Sequence, residues 1–123
     1  MDVSVGIISY NTKELLIRCL ESIFSRTKGV DFEIIVVDNC SYDGTPEMLK
    51  ELFPQVSLIN NDENRGFSKA VNQAFKVSTG EFFLILNPDT EFSNNVILEL
   101  FNFIKSLLVQ RESKCKERIK KMP

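Results

Sequence analysis

The sequence predicts an α/β domain built on an open, mostly parallel sheet with helices on both faces. Three observations carry that reading. Four short apolar runs alternate with four stretches of helical periodicity, and the connections between them are short. Two of the runs, VSVGIIS and FEIIVV, are apolar without alternation, as strands covered on both faces are. Strand and helix in strict succession call for parallel strands joined by right-handed crossovers.

The first run, DVSVGIIS, is a buried strand. Asn11 or Thr12 then caps a helix, with Glu14 placed three after Asn11 in the manner of a capping box. Leu15, Leu16, Cys19, Leu20, Ile23 and Phe24 follow at helical spacing, and Gly29 closes the unit. FEIIVV is the second strand, broken by DNCSYDGT. Thr45 and Pro46 suit the cap and first position of a short helix whose inner face is Met48, Leu49, Leu52 and Phe53, ended by Pro54. VSLIN is a third, shorter strand, followed by the polar loop NDENRG. From Phe67 or Ser68 onward, Ala70, Val71, Ala74, Phe75 and Val77 give a third helix, stopped by Gly80. EFFLIL is the fourth strand and NNVILELFNFIKSLL the fourth helix. The remainder, QRESKCKERIKKMP, is charged and poor in core residues, so it reads as a tail or a helix extension. The expected division is therefore a domain over residues 1–105 and a charged segment over 106–123.

The gross numbers narrow the function. A chain of 123 residues with 43% hydrophobic content can bury a real core as one domain. A net charge of −2 gives no basic footprint for nucleic acid. No apolar run reaches the roughly 20 residues of a membrane helix, and no signal peptide opens the chain, which points to the cytoplasm with peripheral membrane contact as a variant. Cys19, Cys40 and Cys115 lack metal-type spacing and cannot all pair, as expected of reduced thiols. Histidine is absent. That excludes His-based triads and the usual zinc sites.

In open parallel sheets ligands bind beyond the carboxyl ends of the strands, where strand order reverses. The residues there are SYN, DNCSYDG, NDENRGF and NPDTE, and three of these four segments carry carboxylates. Neither a P-loop nor a G-x-G-x-x-G fingerprint is present. A phosphoacceptor receiver would place Asp38 well but would want an acidic pair where Ser9-Tyr10-Asn11 stands. A nucleoside-diphosphate site fits better. Asp38 can accept a hydrogen bond from a base N–H, Tyr10 offers a flat face to a base or ribose, and Arg65 can meet base carbonyls or phosphate. Asp89 supplies a hard oxygen to Mg²⁺ or Mn²⁺, the rest of the sphere being diphosphate and water.

The segments VSVGIISYNTKELLIRCLESI, FEIIVVDNCSYDGTPEML, NDENRGFSKAVNQAF and GEFFLILNPDTEF resemble the N-terminal half of family 2 inverting glycosyltransferases of the Rossmann-like GT-A fold, most closely the rhamnosyltransferase-like branch. The likeness runs in order from residue 2 to about residue 105. It implies a nucleotide-sugar donor site with Ser9 and Tyr10 on the nucleoside, Asp38 on the base, Arg65 nearby, and Asn87 and Asp89 where the family carries its DXD motif. Gly66 and Phe67 match the family's N-x-G-F turn. Asn87 stands where many relatives carry Asp, so a metal would lean on Asp89 and the diphosphate. The family continues into an acceptor-binding half that usually holds the catalytic base, and no such base is visible here; Glu99, Glu112 and Glu117 read as solvated helix residues.

Plainer roles stand beside these. Asp38 suits the start of a turn, Asn87-Pro88-Asp89 a turn into the next helix, Asp43 the support of the turn at Gly44, and Tyr10 packing beside the first helix. Glu91 suits a helix N-terminus. The expected function is a glycosyltransferase domain that takes a UDP- or dTDP-type nucleotide sugar with Mg²⁺ or Mn²⁺ and serves inverting transfer to an acceptor glycan or lipid-linked sugar. The rival is a non-catalytic nucleotide- or partner-binding subunit, which would self-associate or pair with a separate acceptor subunit.

Overall fold

The computed structural model describes the backbone of residues 1–120 and the side chains of residues 1–112. Four strands and four helices alternate: β1 (Val3–Ser9), α1 (Lys13–Arg26), β2 (Phe32–Asp38), α2 (Thr45–Leu52), β3 (Ser57–Asn60), α3 (Phe67–Val77), β4 (Phe82–Leu86) and α4 (Val96–Lys120). The sheet is parallel throughout, in the order β3-β2-β1-β4. The chain therefore steps from β1 outward to β3, then returns across the sheet to place β4 on the other side of β1.

That reversal explains the layering. Right-handed crossovers running in one direction leave their helices on one face, and a crossover in the opposite direction leaves its helix on the other. Accordingly α1 and α2, joined by α4, cover Val3, Val5, Ile7, Ile34 and Val36 with Leu16, Cys19, Leu20, Ile23, Met48, Leu49 and Ile97. Helix α3 lies alone on the other face, seating Ala70 and Ala74 on Ile35 and Val37. Alanine lets that helix come close, and residue 6 of β1 on the same face is a glycine whose added Cβ would crowd the Phe83 ring. Both faces of β2 are thus buried, which is why its sequence shows no alternation.

Several local expectations are corrected. No side chain of α1's own N-terminus caps it: Thr12 makes no capping bond, and the Asn11 side chain accepts from the Tyr42 N–H at 2.8 Å instead. The cap comes from Asp43, whose carboxylate accepts from the Lys13 N–H at 3.0 Å and from the Thr45 N–H at 3.2 Å and hydroxyl at 2.6 Å. One carboxylate thereby serves the first turns of two helices, α2 starting at Thr45 behind Gly44 (φ 83°). Leu15, Leu52, Phe75 and Val77 are exposed rather than inward, since each helix presents a narrower stripe than its hydrophobic spacing suggested. Helix α3 ends at Val77, before Gly80. Gly80 is small for another reason: a Cβ there would overlap the Ser4 backbone. The charged segment, expected as a tail or a helix extension, continues helix α4 through Lys120, because Gln, Arg, Glu and Lys are good helix formers and no Gly or Pro intervenes. The side chains of Cys115 and Glu117 lie outside the described residues, while Glu99 and Glu112 are exposed.

Candidate functional site

The parallel register brings the predicted residues to one edge. Ser9 pairs with Asp38 and Asp38 with Asn60, while Ile7 pairs with Leu86, so Asn87 begins just beyond the β4 end, on the opposite side of β1. The strand order reverses between β1 and β4, and Ser9, Tyr10, Asn87 and Asp89 follow or end those two neighbouring strands at the same edge of the sheet.

On the β1–β2 side the polar groups are buried and bonded. Asp38 is fully buried and its carboxylate accepts three hydrogen bonds: from the Ser9 hydroxyl at 2.8 Å, the Ser41 hydroxyl at 2.6 Å and the Ser41 N–H at 2.9 Å. A carboxylate has about four acceptor positions. Ser9 is itself fully buried, its hydroxyl committed to Asp38. The backbone bends sharply here, with Asn11 at φ 51° and Cys40 at φ 69°. A left-handed cysteine costs energy that the surrounding bonds must offset; the Ser41 bonds to Asp38 and a Cys40 Sγ contact to the Asp62 carbonyl at 3.4 Å do so. Tyr10 follows directly and is 44% exposed, so its ring is available.

The neighbouring Asn39 faces the other way and anchors a second set. Its Oδ1 accepts from the Asn61 side-chain amide at 3.0 Å and from the Arg65 N–H at 3.3 Å, while its Nδ2 donates to the Gly66 carbonyl at 3.2 Å. Asn61 and Gln73 exchange a reciprocal pair of amide bonds at 2.9 and 2.8 Å. Arg65 itself is exposed and lies 3.7 Å from the Asp62 carboxylate on its own loop.

The β4 end is open. Asn87 and Asp89 are exposed, in a turn closed by the Thr90 N–H on the Asn87 carbonyl at 3.1 Å. Downstream, Phe92 is buried against the core and its N–H donates to Ser22 Oγ at 2.9 Å, tying the loop to α1. Cys19, on the same helix, has its thiol pushed up to about 11, by burial first and then by the charges of Asp89 and Glu91. That keeps it a protonated, inert core residue.

The structure thus bonds Ser9 to Asp38 directly, sets Tyr10 next in the chain, and places Asn87 and Asp89 beyond the end of β4, the strand that pairs with β1 on its other side. Arg65 sits farther out, on the β3–α3 loop. The spacing argument missed Ser41, Asn39, Asn61, Gln73, Ser22 and Phe92. A signal existed for the amides: Asn39 and Asn61 each stand two residues beyond an apolar run, IIVV and SLI, and mark polar groups that buried strand ends would have to satisfy.

Residues 4–110 match the family described as Glycosyl transferase family 2. The chain belongs to that family. It is 35% identical over 108 residues to the dolichol-phosphate mannosyltransferase of Pyrococcus furiosus, covering 86% of this chain and 31% of that protein. Its fold superposes on the mannosyltransferase PcManGT of Pyrobaculum calidifontis, solved with GDP-Man and Mn²⁺, with a TM-score of 0.70 and 31% identity over 78% of this chain and 30% of the other. It superposes on S. aureus TarS in complex with UDP-GlcNAc with a TM-score of 0.76 and 27% identity, covering 86% of this chain and 32% of the other. The chain spans about a third of the length of these relatives. As a family 2 chain, it presents the parallel sheet and strand-end edge of the GT-A architecture.

The donor set fits a hard divalent cation held jointly with a ligand. Asp89 is an exposed carboxylate absent from the ion pairs among the described residues. No group of three or more His, Cys, Asp or Glu gathers among those residues. Magnesium-type ions bind this way, through one or two carboxylates, with phosphate and water completing the sphere.

Proposed function

We propose that this chain is the donor-binding part of an inverting glycosyltransferase. It holds a nucleoside-diphosphate sugar across the β1–β4 strand ends, with Asp89 and Asn87 offering oxygen ligands to Mg²⁺ or Mn²⁺. The observation that carries this reading is the pairing of two unlike strand ends at the reversal point. One is a buried, bonded Ser9–Asp38 end flanked by the free Tyr10 ring; the other is the exposed Asn87–Asp89 turn. A nucleoside needs shape and hydrogen-bond complementarity, and a diphosphate needs positive charge brought to it.

In this reading Tyr10 stacks on the base or ribose. Asp38 is covered by Ser9 and Ser41, and when the Ser41 turn opens on binding its remaining acceptor position meets a base N–H, as uracil and thymine carry, which suits UDP- or dTDP-type donors. Arg65 adds positive charge from the β3–α3 loop. The cation, when bound, neutralises charge on the leaving diphosphate. Asp43 is committed to capping two helices and Asp38 is buried under Ser9 and Ser41, so neither serves as the base for the acceptor hydroxyl. The acceptor is a glycan or a lipid-linked sugar. Support comes from the solved neighbours, whose complexes hold GDP-Man with Mn²⁺ and UDP-GlcNAc.

The test is calorimetric titration of the chain with UDP and dTDP, with Mn²⁺ and with EDTA. Binding that requires Mn²⁺ in the parent and loses that requirement in Asp89→Ala is the expected result. Nucleotide binding indifferent to EDTA would remove Asp89 from the metal role.

A further inference from the structure

We propose that the buried amides of Asn39 and Asn61 and the half-buried amide of Gln73 are a positioning device that fixes the Arg65 segment for nucleotide binding, with Gln73 acting at a distance as its keystone. The proposal rests on the donor-site reading above and adds to it a residue on the far side of the β3–α3 loop.

The loop needs such a device. Residues 62–66 are all exposed, so no apolar side chain anchors them to the core. Gly66 stands at φ 82°, a backbone that glycine adopts readily, and no neighbouring side chain packs where its Cβ would be. What holds it is polar. Asn39 and Asn61 are 3% and 6% exposed, and the Asn39 side chain grips two consecutive backbone groups, the Arg65 N–H and the Gly66 carbonyl. Asn39 can do this only while its Oδ1 and Nδ2 point the right way. The Asn61 amide donor fixes that orientation, because a flipped Asn39 would set two NH₂ groups against each other. Asn61 is oriented in turn by Gln73, with which it exchanges donor for acceptor and acceptor for donor. The order of control runs from α3 to β3, to β2, to Arg65.

The same chain of bonds ties Arg65 to Asp38. Asp38 and Asn39 are adjacent, one turned toward Ser9 and Ser41, the other toward the Arg65 loop. The two sides of the base site are thereby referenced to one peptide at the end of β2. A buried network of this kind is valuable only if every member is satisfied, and losing one amide leaves its partners unpaired.

The experiment compares the parent chain with Gln73→Leu, Gln73→Glu, Arg65→Ala and the Gln73→Leu/Arg65→Ala double variant. Two readouts are taken: tryptic cleavage after Arg65 in the nucleotide-free protein, and UDP affinity in the presence of Mn²⁺. In Gln73→Leu, cleavage after Arg65 rises about tenfold while other tryptic sites keep their rates, and UDP binds about tenfold more weakly. In the double variant UDP binding is no weaker than in Arg65→Ala alone, as required if Gln73 acts through Arg65. Gln73→Glu keeps the acceptor for Asn61 and falls between parent and Gln73→Leu, which guards against a Leu variant that does not fold. Unchanged cleavage after Arg65 in both Gln73 variants overturns the proposal, as does a Gln73→Leu loss of affinity that adds fully to that of Arg65→Ala. A parent chain that binds no UDP defeats the donor reading, and the cleavage arm still decides whether the amides hold the loop.

Discussion

The two sides of the candidate site are built on opposite plans. At the β1–β2 end the carboxylate of Asp38 is buried under three hydrogen bonds from its own chain, and Asn39 beside it is buried under three more. At the β4 end Asn87 and Asp89 stand in solvent on a turn closed by a single backbone bond. A shape-reading surface benefits from being set before the ligand arrives, since ordering it later would subtract from affinity. In the proposed reading, the Asn87–Asp89 turn completes itself only with metal and diphosphate, which accords with a carboxylate left uncovered.

The contrast breaks first at the anchor of the open side. Phe92→Ala removes a buried ring from the core and should cost about 3–5 kcal/mol in denaturant unfolding. Asp89→Ala, three residues earlier, should shift stability by less than about 0.5 kcal/mol, as exposed substitutions do, while abolishing the metal response. Were the two to cost alike, the β4 turn would be part of the fold rather than a surface laid upon it.

On the closed side, Asp38→Asn exchanges one acceptor oxygen for a donor facing Ser9 and Ser41. The expected loss of folding free energy is about 1.5–3 kcal/mol, the range for hydrogen bonds to a charged group. Titration with UDP, dTDP and CDP sharpens the reading: UDP and dTDP should weaken more than CDP. An equal loss for all three would assign Asp38 to holding the loop alone.

The smallest effect is in pH. Burial raises the Glu33 and Asp43 carboxyls, but hydrogen bonds outweigh it and hold both below their ordinary values of 4.5 and 3.8. For Glu33 the donors are Ser4 and Thr79; for Asp43 they are Thr45 and the Lys13 backbone. A carboxyl depressed in the folded state contributes stability that is complete above its unfolded value and drains away as pH falls through the folded one. Stability should therefore be flat above about pH 5 and decline below about pH 4.5. Asp43→Asn, which keeps a capping oxygen, should flatten the part of that decline below about pH 4.

The alternation of strands and helices, the parallel sheet and its cover on both faces were legible because they follow from periodicity and from the logic of right-handed crossovers. Continuous apolar runs such as FEIIVV announced a doubly covered strand, and polar residues after each run announced the edge. What escaped was contact between residues far apart in sequence. That Asp43 caps α1, about 30 positions behind it, depends on two loops meeting in space. Local spacing offered Asn11 and Thr12 instead, and tertiary geometry overrode it. The Asn39–Asn61–Gln73 set was hidden for the same reason, as was the inward role of Phe92 in a stretch that reads as polar.

The strand order also has a consequence in time. Strands β1, β2 and β3 are neighbours in both sequence and space, whereas β4 must find β1 across nearly the whole domain, Phe82 pairing with Val3. Distant pairings form late, because closing the long intervening loop costs entropy before any contact rewards it. Substitutions in β4 should therefore accelerate unfolding while leaving the refolding rate nearly unchanged, and those in the β1–β2 core should slow refolding. A chain emerging from the ribosome would set the buried Ser9–Asp38 end before the Asn87–Asp89 turn exists.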